Sequence, residues 1–209
     1  LAVFGVVAKT IGEFGFAPLK GLSIYLGVGL LGLFLHIVIV YHGWLIAKGY
    51  SIRDFWRTVR PTIIYGVGVN SSLATLPLTL KSLEDLKVSK KCATLGACIG
   101  TNLNNDGILL YEGMAVFFVA QAMGIEMSVM DHFNVALVCI IGTIGIAGIP
   151  EAGFITLAIV LTTLKLPTEI LGMLLTVDWI LGRGRTVTNV LGDMVVSIAL
   201  DSHRKDKAV

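Results

Sequence analysis

Gly66-Val67-Gly68-Val69-Asn70-Ser71-Ser72-Leu73-Ala74-Thr75-Leu76-Pro77 lies inside an apolar run from Pro61 to Leu80, and its flanks decide how the chain folds. Lys48, Arg53, Arg57 and Arg60 precede the run; Lys81, Lys87, Lys90 and Lys91 follow it. In a membrane protein an excess of Lys and Arg marks the cytoplasmic side, so both ends face the same way. A straight span cannot return to its own side. A re-entrant hairpin of two half-helices can, with a polar tip near the membrane centre where unwound backbone must line a cavity or be buried in protein. The run from Phe133 to Leu164 has the same form, broken at Gly145, Gly148, Pro150 and Gly153. Its flanks, Gly124 to His132 and Lys165 to Glu169, carry one Lys between them and are expected to face outward.

The membrane premise rests on composition. The 209 residues are 55% hydrophobic and 14% charged with mean hydropathy +0.85, where a soluble domain has about 25% charged residues. Leu22 to Ala47 is the clearest run long enough to cross a bilayer, which takes about 20 helical residues. A net charge of +2, without a basic run interleaved with aromatics, excludes a nucleic-acid partner. Cys92, Cys98 and Cys139 lack CxxC spacing and read as packing residues. His36, His42, His132 and His203 form no paired ligand motif, so no resident metal or other cofactor is expected, and His36 and His42 read as interfacial or packed. Arg204, Lys205 and Lys207 put the C-terminus in the cytoplasm. The chain opens at Leu1 without Met or a signal-peptide start, which reads as the C-terminal part of a longer protein.

Ionisable groups at membrane depth point to function. Asp178, Gly182, Arg185, Asn189 and Asp193 recur at spacings of four, three, four and four, and therefore share a helix face. An Arg fork suits a carboxylate, while Asp and Asn oxygens suit a desolvated hard cation. The plainer alternative is a buried salt bridge between neighbouring helices. A second polar segment, Gly100-Thr101-Asn102-Leu103-Asn104-Asn105-Asp106-Gly107, follows the first hairpin as the Arg185 helix follows the second. Two interrupted segments in corresponding positions, entering from opposite faces, are the sign of an inverted-repeat transporter with a midplane site. A bundle packed through glycines would account for the glycines, but not for Asn102, Asn104, Asn105 and Asp106 together.

With these segments placed, nearly the whole chain resembles the dicarboxylate/amino acid:cation symporter family, which includes glutamate and aspartate transporters. The first hairpin tip Asn70-Ser71-Ser72-Leu73-Ala74-Thr75-Leu76-Pro77, the segment Asn104-Asn105-Asp106-Gly107 with Leu110-Tyr111-Glu112, the second tip Gly145-Ile146-Ala147-Gly148-Ile149-Pro150-Glu151-Ala152-Gly153 and the helix from Val177-Asp178-Trp179 to Asp193 carry the resemblance. It implies an all-α integral membrane fold, an elevator-type transport domain built on two re-entrant hairpins in an inverted repeat. One domain is expected over 1–209: the end of a scaffold helix at 1–18, a transmembrane helix at 19–48, hairpin 1 at 51–88, a helix with an unwound centre at 92–124, hairpin 2 at 128–165 and the last transmembrane helix at 168–202. The trimerising scaffold would precede it, giving a homotrimer in the lipid of the plasma or inner membrane.

The same resemblance implies site residues. Sodium would bind through carbonyls of Gly100, Asn104 and Asn189 with the Asp193 carboxylate. A deeper ion would use the side chains of Asn104 and Asp106. A third would use carbonyls of Thr143, Ile144 and Ile146 with Asn102, which stands where the family commonly has Thr. Arg185 would grip a substrate carboxylate, and Asn189, Ser71, Ser72, Thr186, Gly148, Ile149 and Pro150 would enclose the rest. The family's aspartate for the substrate amine falls at Gly182, and an ammonium left without a partner costs several kcal/mol. This favours a dicarboxylate anion such as succinate, fumarate or malate. Glu112 matches a proton-carrying glutamate of the glutamate branch, so an acidic amino acid is the alternative substrate, with Glu151 offered for the amine and protons as an alternative coupling ion. A remote reading is an intramembrane aspartyl protease, from Asp106 and Asp193 with Leu191-Gly192-Asp193, but such an enzyme has no use for Arg185. A regulatory relative without transport is a further reading.

Overall fold

The computed structural model describes residues 17–144, 152–168 and 170–201, with Phe4, Gly5, Ala8 and Gly12 ahead of them. Among the described residues there are helices and no strand. Helix α1, Ala17–His36, runs through a π-helical turn at Ile37–Tyr41 into α2, His42–Ala47. Of this rod, Lys20–Ala47 is long and apolar enough to cross a membrane, with mean hydropathy 2.3 over its best window. Val28, Leu31, Phe34, Ile39 and Ile46 stand exposed along it. Gly49 ends the rod at φ 71°, where the amides of Gly49 and Tyr50 bond back to the carbonyls of Ile46 and Leu45.

Helices α3, Ile52–Val69, and α4, Ser72–Asp85, form a hairpin with the shortest of turns. Asn70 stops α3 in the left-handed conformation, φ 50° and ψ 40°, which Asn tolerates better than most residues. The next residue, Ser71, starts α4 by accepting from the Ala74 amide at 3.1 Å. The Thr62 and Ser82 hydroxyls, 2.7 Å apart, tie the arms together. After α5, Lys90–Ala93, a second π-helical turn, Thr94–Ile99, leads to α6, Gly100–Leu103. Asn104 and Asn105 then leave helical geometry, at ψ 71° and 51°, before α7, Asp106–Ala122. A second helix pair follows, α8 at Val129–Thr143 and α9 at Ala152–Thr163. Ser128 and Asp131 close a capping box at the start of α8. Residues 145–151, between this pair, lie outside the described residues.

Helix α10, Leu171–Leu200, organises the molecule. Its first half enters one apolar core at Leu174 and Leu181, shared with Tyr25, Tyr111, Val119 and Leu157. Its last part enters a second core at Val190, Met194 and Ile198, shared with Tyr41, Phe55 and Leu83. The polar residues 182 to 189 fall at the seam between these cores. Buried polar groups there must find partners, because unsatisfied ones cost free energy in either core.

Candidate functional site

A cleft opens at this seam. The turn of the first hairpin contributes Asn70, Ser71 and Ser72; the start of α7 contributes Ile108; α9 contributes Ala152 and Gly153. Gly182, Arg185, Thr186 and Asn189 of α10 form the floor. Hairpin tip, unwound helix and last helix thus converge on one volume. Of the expected enclosing residues, Gly148, Ile149 and Pro150 lie outside the described residues, as do Ile146 and Glu151.

Arg185 has a partner that differs from expectation. Its Nη1 and Nη2 donate to Asp178 Oδ1 and Oδ2 at 2.7 and 3.0 Å, two turns back on the same helix. The salt bridge weighed from the sequence joins neighbouring helices; this one is internal to α10. The guanidinium also lies over the Tyr111 ring, 3.9 Å from its centroid. A guanidinium has five N–H donors, so this fork leaves others for a ligand. A Cβ on Gly153 would meet Arg185 Cζ and Nε at 3.4 and 3.5 Å, so α9 borders the guanidinium on the Nε side.

The other end of the face is built for a cation. Asp193, 1% exposed, accepts from Asn104 Nδ2 at 3.3 Å. Gly100 lies so close that a Cβ there would run into the Asp193 carboxylate. The Asn104 amide bonds the Gly100 carbonyl at 2.7 Å. Gly100, Asn104 and Asp193 are thereby brought together, and a buried carboxylate served by one neutral amide suits a cation carried as cargo. Asn189 stands one turn back, its Oδ1 accepting from the Gly107 amide at 2.8 Å and its Nδ2 donating to Asn105 Oδ1 at 3.3 Å. A Cβ on Gly107 would stand 2.6 Å from the Arg185 carbonyl oxygen, so a side chain there would force the unwound helix off α10.

Asp106 has partners that sequence reading missed. His36 Nε2 lies 3.2 Å from its Oδ2, and Tyr41 Oη lies 2.9 Å from the same atom. Tyr41 Oη is also 3.1 Å from the Thr188 carbonyl, and its single proton serves one acceptor at a time. His36, for which the sequence suggests an interfacial or packed place, is thus engaged with a candidate ion ligand. Of the third ion set, Ile146 lies outside the described residues. Asn102 is exposed, and Asn105 Nδ2 donates to the Thr143 carbonyl instead, at 3.3 Å. The physical reason is the unwinding between them, which turns position 105 rather than 102 toward α8. Ile144 is exposed at the end of that helix. Glu112 is fully buried among Gly142 and Val160, with no hydrogen-bond partner for either oxygen among the described residues.

Helices throughout the described residues, an arginine facing a polar cleft and a buried carboxylate cradled by an unwound helix match what a membrane symporter requires. Residues 1–203 match the family model described as the sodium:dicarboxylate symporter family, and the chain belongs to that family. It is 37% identical over 82% of its length to excitatory amino acid transporter 1 of Ambystoma tigrinum, covering 32% of that protein. It is 33% identical over 95% of its length to excitatory amino acid transporter 4 of Rattus norvegicus, covering 36% of it, and 36% identical over 90% to excitatory amino acid transporter 5 of Mus musculus, covering 34% of it. The chain thus spans about a third of the length of these curated relatives. Family and relatives are transporters rather than enzymes, and the family's description carries sodium coupling.

Proposed function

We propose that the chain forms the substrate- and ion-binding core of a sodium-coupled symporter for an acidic amino acid. The observation that carries this reading is the pairing of Arg185, facing the cleft, with the Gly100, Asn104 and Asp193 cradle two turns further along one helix. Cation and anion bound at adjacent positions stabilise each other, which is the basis of coupling. The excitatory amino acid transporters among the relatives favour an amino acid substrate over the amine-free dicarboxylate expected from Gly182. Gly182 itself remains the observation for a dicarboxylate, because it offers an ammonium no carboxylate.

In this reading the helix pairs α3–α4 and α8–α9 are re-entrant hairpins of an elevator-type transport domain. The basic ends of the first pair and the C-terminus face the cytoplasm of the plasma or inner membrane. Exposed apolar side chains of α1 and α2 meet lipid, and a scaffold outside residues 1–209 forms a homotrimer. Glu112 is the candidate for carrying a coupled proton, since neither of its buried oxygens is held by a hydrogen bond among the described residues.

The test is uptake into liposomes containing the full-length protein. A sodium gradient is expected to drive labelled aspartate uptake that succinate blocks weakly. Succinate uptake that aspartate blocks weakly would replace this reading by the dicarboxylate one.

A further inference from the structure

The turn between α3 and α4 sends a side chain across to α10. Thr186 Oγ1 donates to Asn70 Oδ1 at 3.1 Å. A Cβ on Gly182 would lie 3.1 Å from Asn70 Nδ2, 3.3 Å from Asn70 Oδ1 and 3.3 Å from Arg185 Nη2. Carboxamide and guanidinium edge therefore share the space above Gly182, and a side chain at 182 would have to push one of them aside. All three residues line the cleft. A ligand carboxylate on Arg185 consequently has the Asn70 carboxamide beside it, within reach of the ligand's next polar group.

We infer that Asn70 is a specificity-determining residue of this site and receives the amino group of the substrate, an inference that rests on the acidic amino acid reading. Among the described residues, Arg185 beside this space is already paired with Asp178. An ammonium entering here can use the second lone pair of the Asn70 amide oxygen, which already accepts from Thr186, and a neutral amide also tolerates ligands without an amine. A carboxylate at position 70 would hold the ammonium by charge and repel a second substrate carboxylate. The glycine at 182 and the asparagine at 70 act as a unit, one vacating the volume that the other reaches into.

The left-handed backbone at Asn70 guides the choice of variants. Gly and Asp, like Asn, adopt φ near 50° at little cost, so Asn70→Gly and Asn70→Asp change the side chain and keep the turn. Both are assayed in the full-length protein in liposomes, with KM and kcat for aspartate and with the aspartate-to-succinate preference. Asn70→Gly is expected to raise the aspartate KM about tenfold with kcat little changed, the worth of a hydrogen bond to a charged group. Asn70→Asp is expected to move the preference toward aspartate by about tenfold or more. An Asn70→Gly protein with unchanged aspartate KM and preference overturns the inference while leaving the acidic amino acid reading in place. If the unmodified protein carries succinate and refuses aspartate, that reading falls and the role of Asn70 falls with it. Uptake of neither anion by the unmodified protein overturns both.

Discussion

Asp178 and Asp193 stand on one face of one helix, both 1% exposed, and are served in opposite ways. Asp178 meets both ends of an arginine fork and is neutralised within the chain. Asp193 is given one side-chain amide, from Asn104. The first is a finished pair, whose part is to fix the direction of Arg185 while leaving it donors for a ligand. The second is a cradle whose missing counter-charge has to come from outside, as the cargo cation of the proposed symport.

The largest effect expected from this contrast is on stability. Asp178→Asn leaves a buried guanidinium uncompensated and should lower the unfolding free energy by about 3–5 kcal/mol in detergent without sodium. Asp193→Asn under the same conditions should cost far less; equal losses would erase the distinction. Sodium then separates the two sites. At a concentration about 100 times its Kd, sodium should stabilise the unmodified protein by about 2.7 kcal/mol and leave Asp193→Asn unmoved, as read by the sodium-dependent shift of thermal unfolding. A smaller effect, about 1–2 kcal/mol, is expected for Tyr111→Leu, which removes the ring beneath the guanidinium. Substrate KM should rise with it, while the sodium-dependent shift stays the same. The smallest is Ser71→Ala, which removes the cap of α4 and should cost about 1 kcal/mol. A changed sodium shift in that variant would mean that the hairpin turn and the Asp193 cradle are coupled.

The parts of this site that could be read from the sequence are those with local causes. The spacing of 178, 182, 185, 189 and 193 puts them on one face because a helix repeats every 3.6 residues, and α10 is continuous through all five. The stop at Asn70 and the start at Ser71 are likewise written in adjacent residues. Asn104 and Asn105 signal a break, and one is there. The phase of the chain after that break is not local information. For this reason Asn105, rather than Asn102, meets the Thr143 carbonyl. His36 and Tyr41 were invisible as partners of Asp106 for a similar reason. They sit 70 and 65 positions away, at the end of one helix and at the last position of the π-helical turn that follows it, which shifts their relative direction. Asp178 was placed on the right face, but its pairing with Arg185 needed side-chain directions that spacing alone does not give.

The two π-helical turns, Ile37–Tyr41 and Thr94–Ile99, have a consequence for how this chain can change over generations. Each holds an extra residue within a continuous rod, and such turns occur often at functional sites. Straightening the first into ordinary helix with all its residues kept would swing everything beyond it by about 100°. Tyr41 would turn away from Asp106, although no side chain in the cradle had been replaced. Lineages in which this turn is straightened by changes within it therefore have a route to altered ion handling that substitution counts along the motif would not reveal.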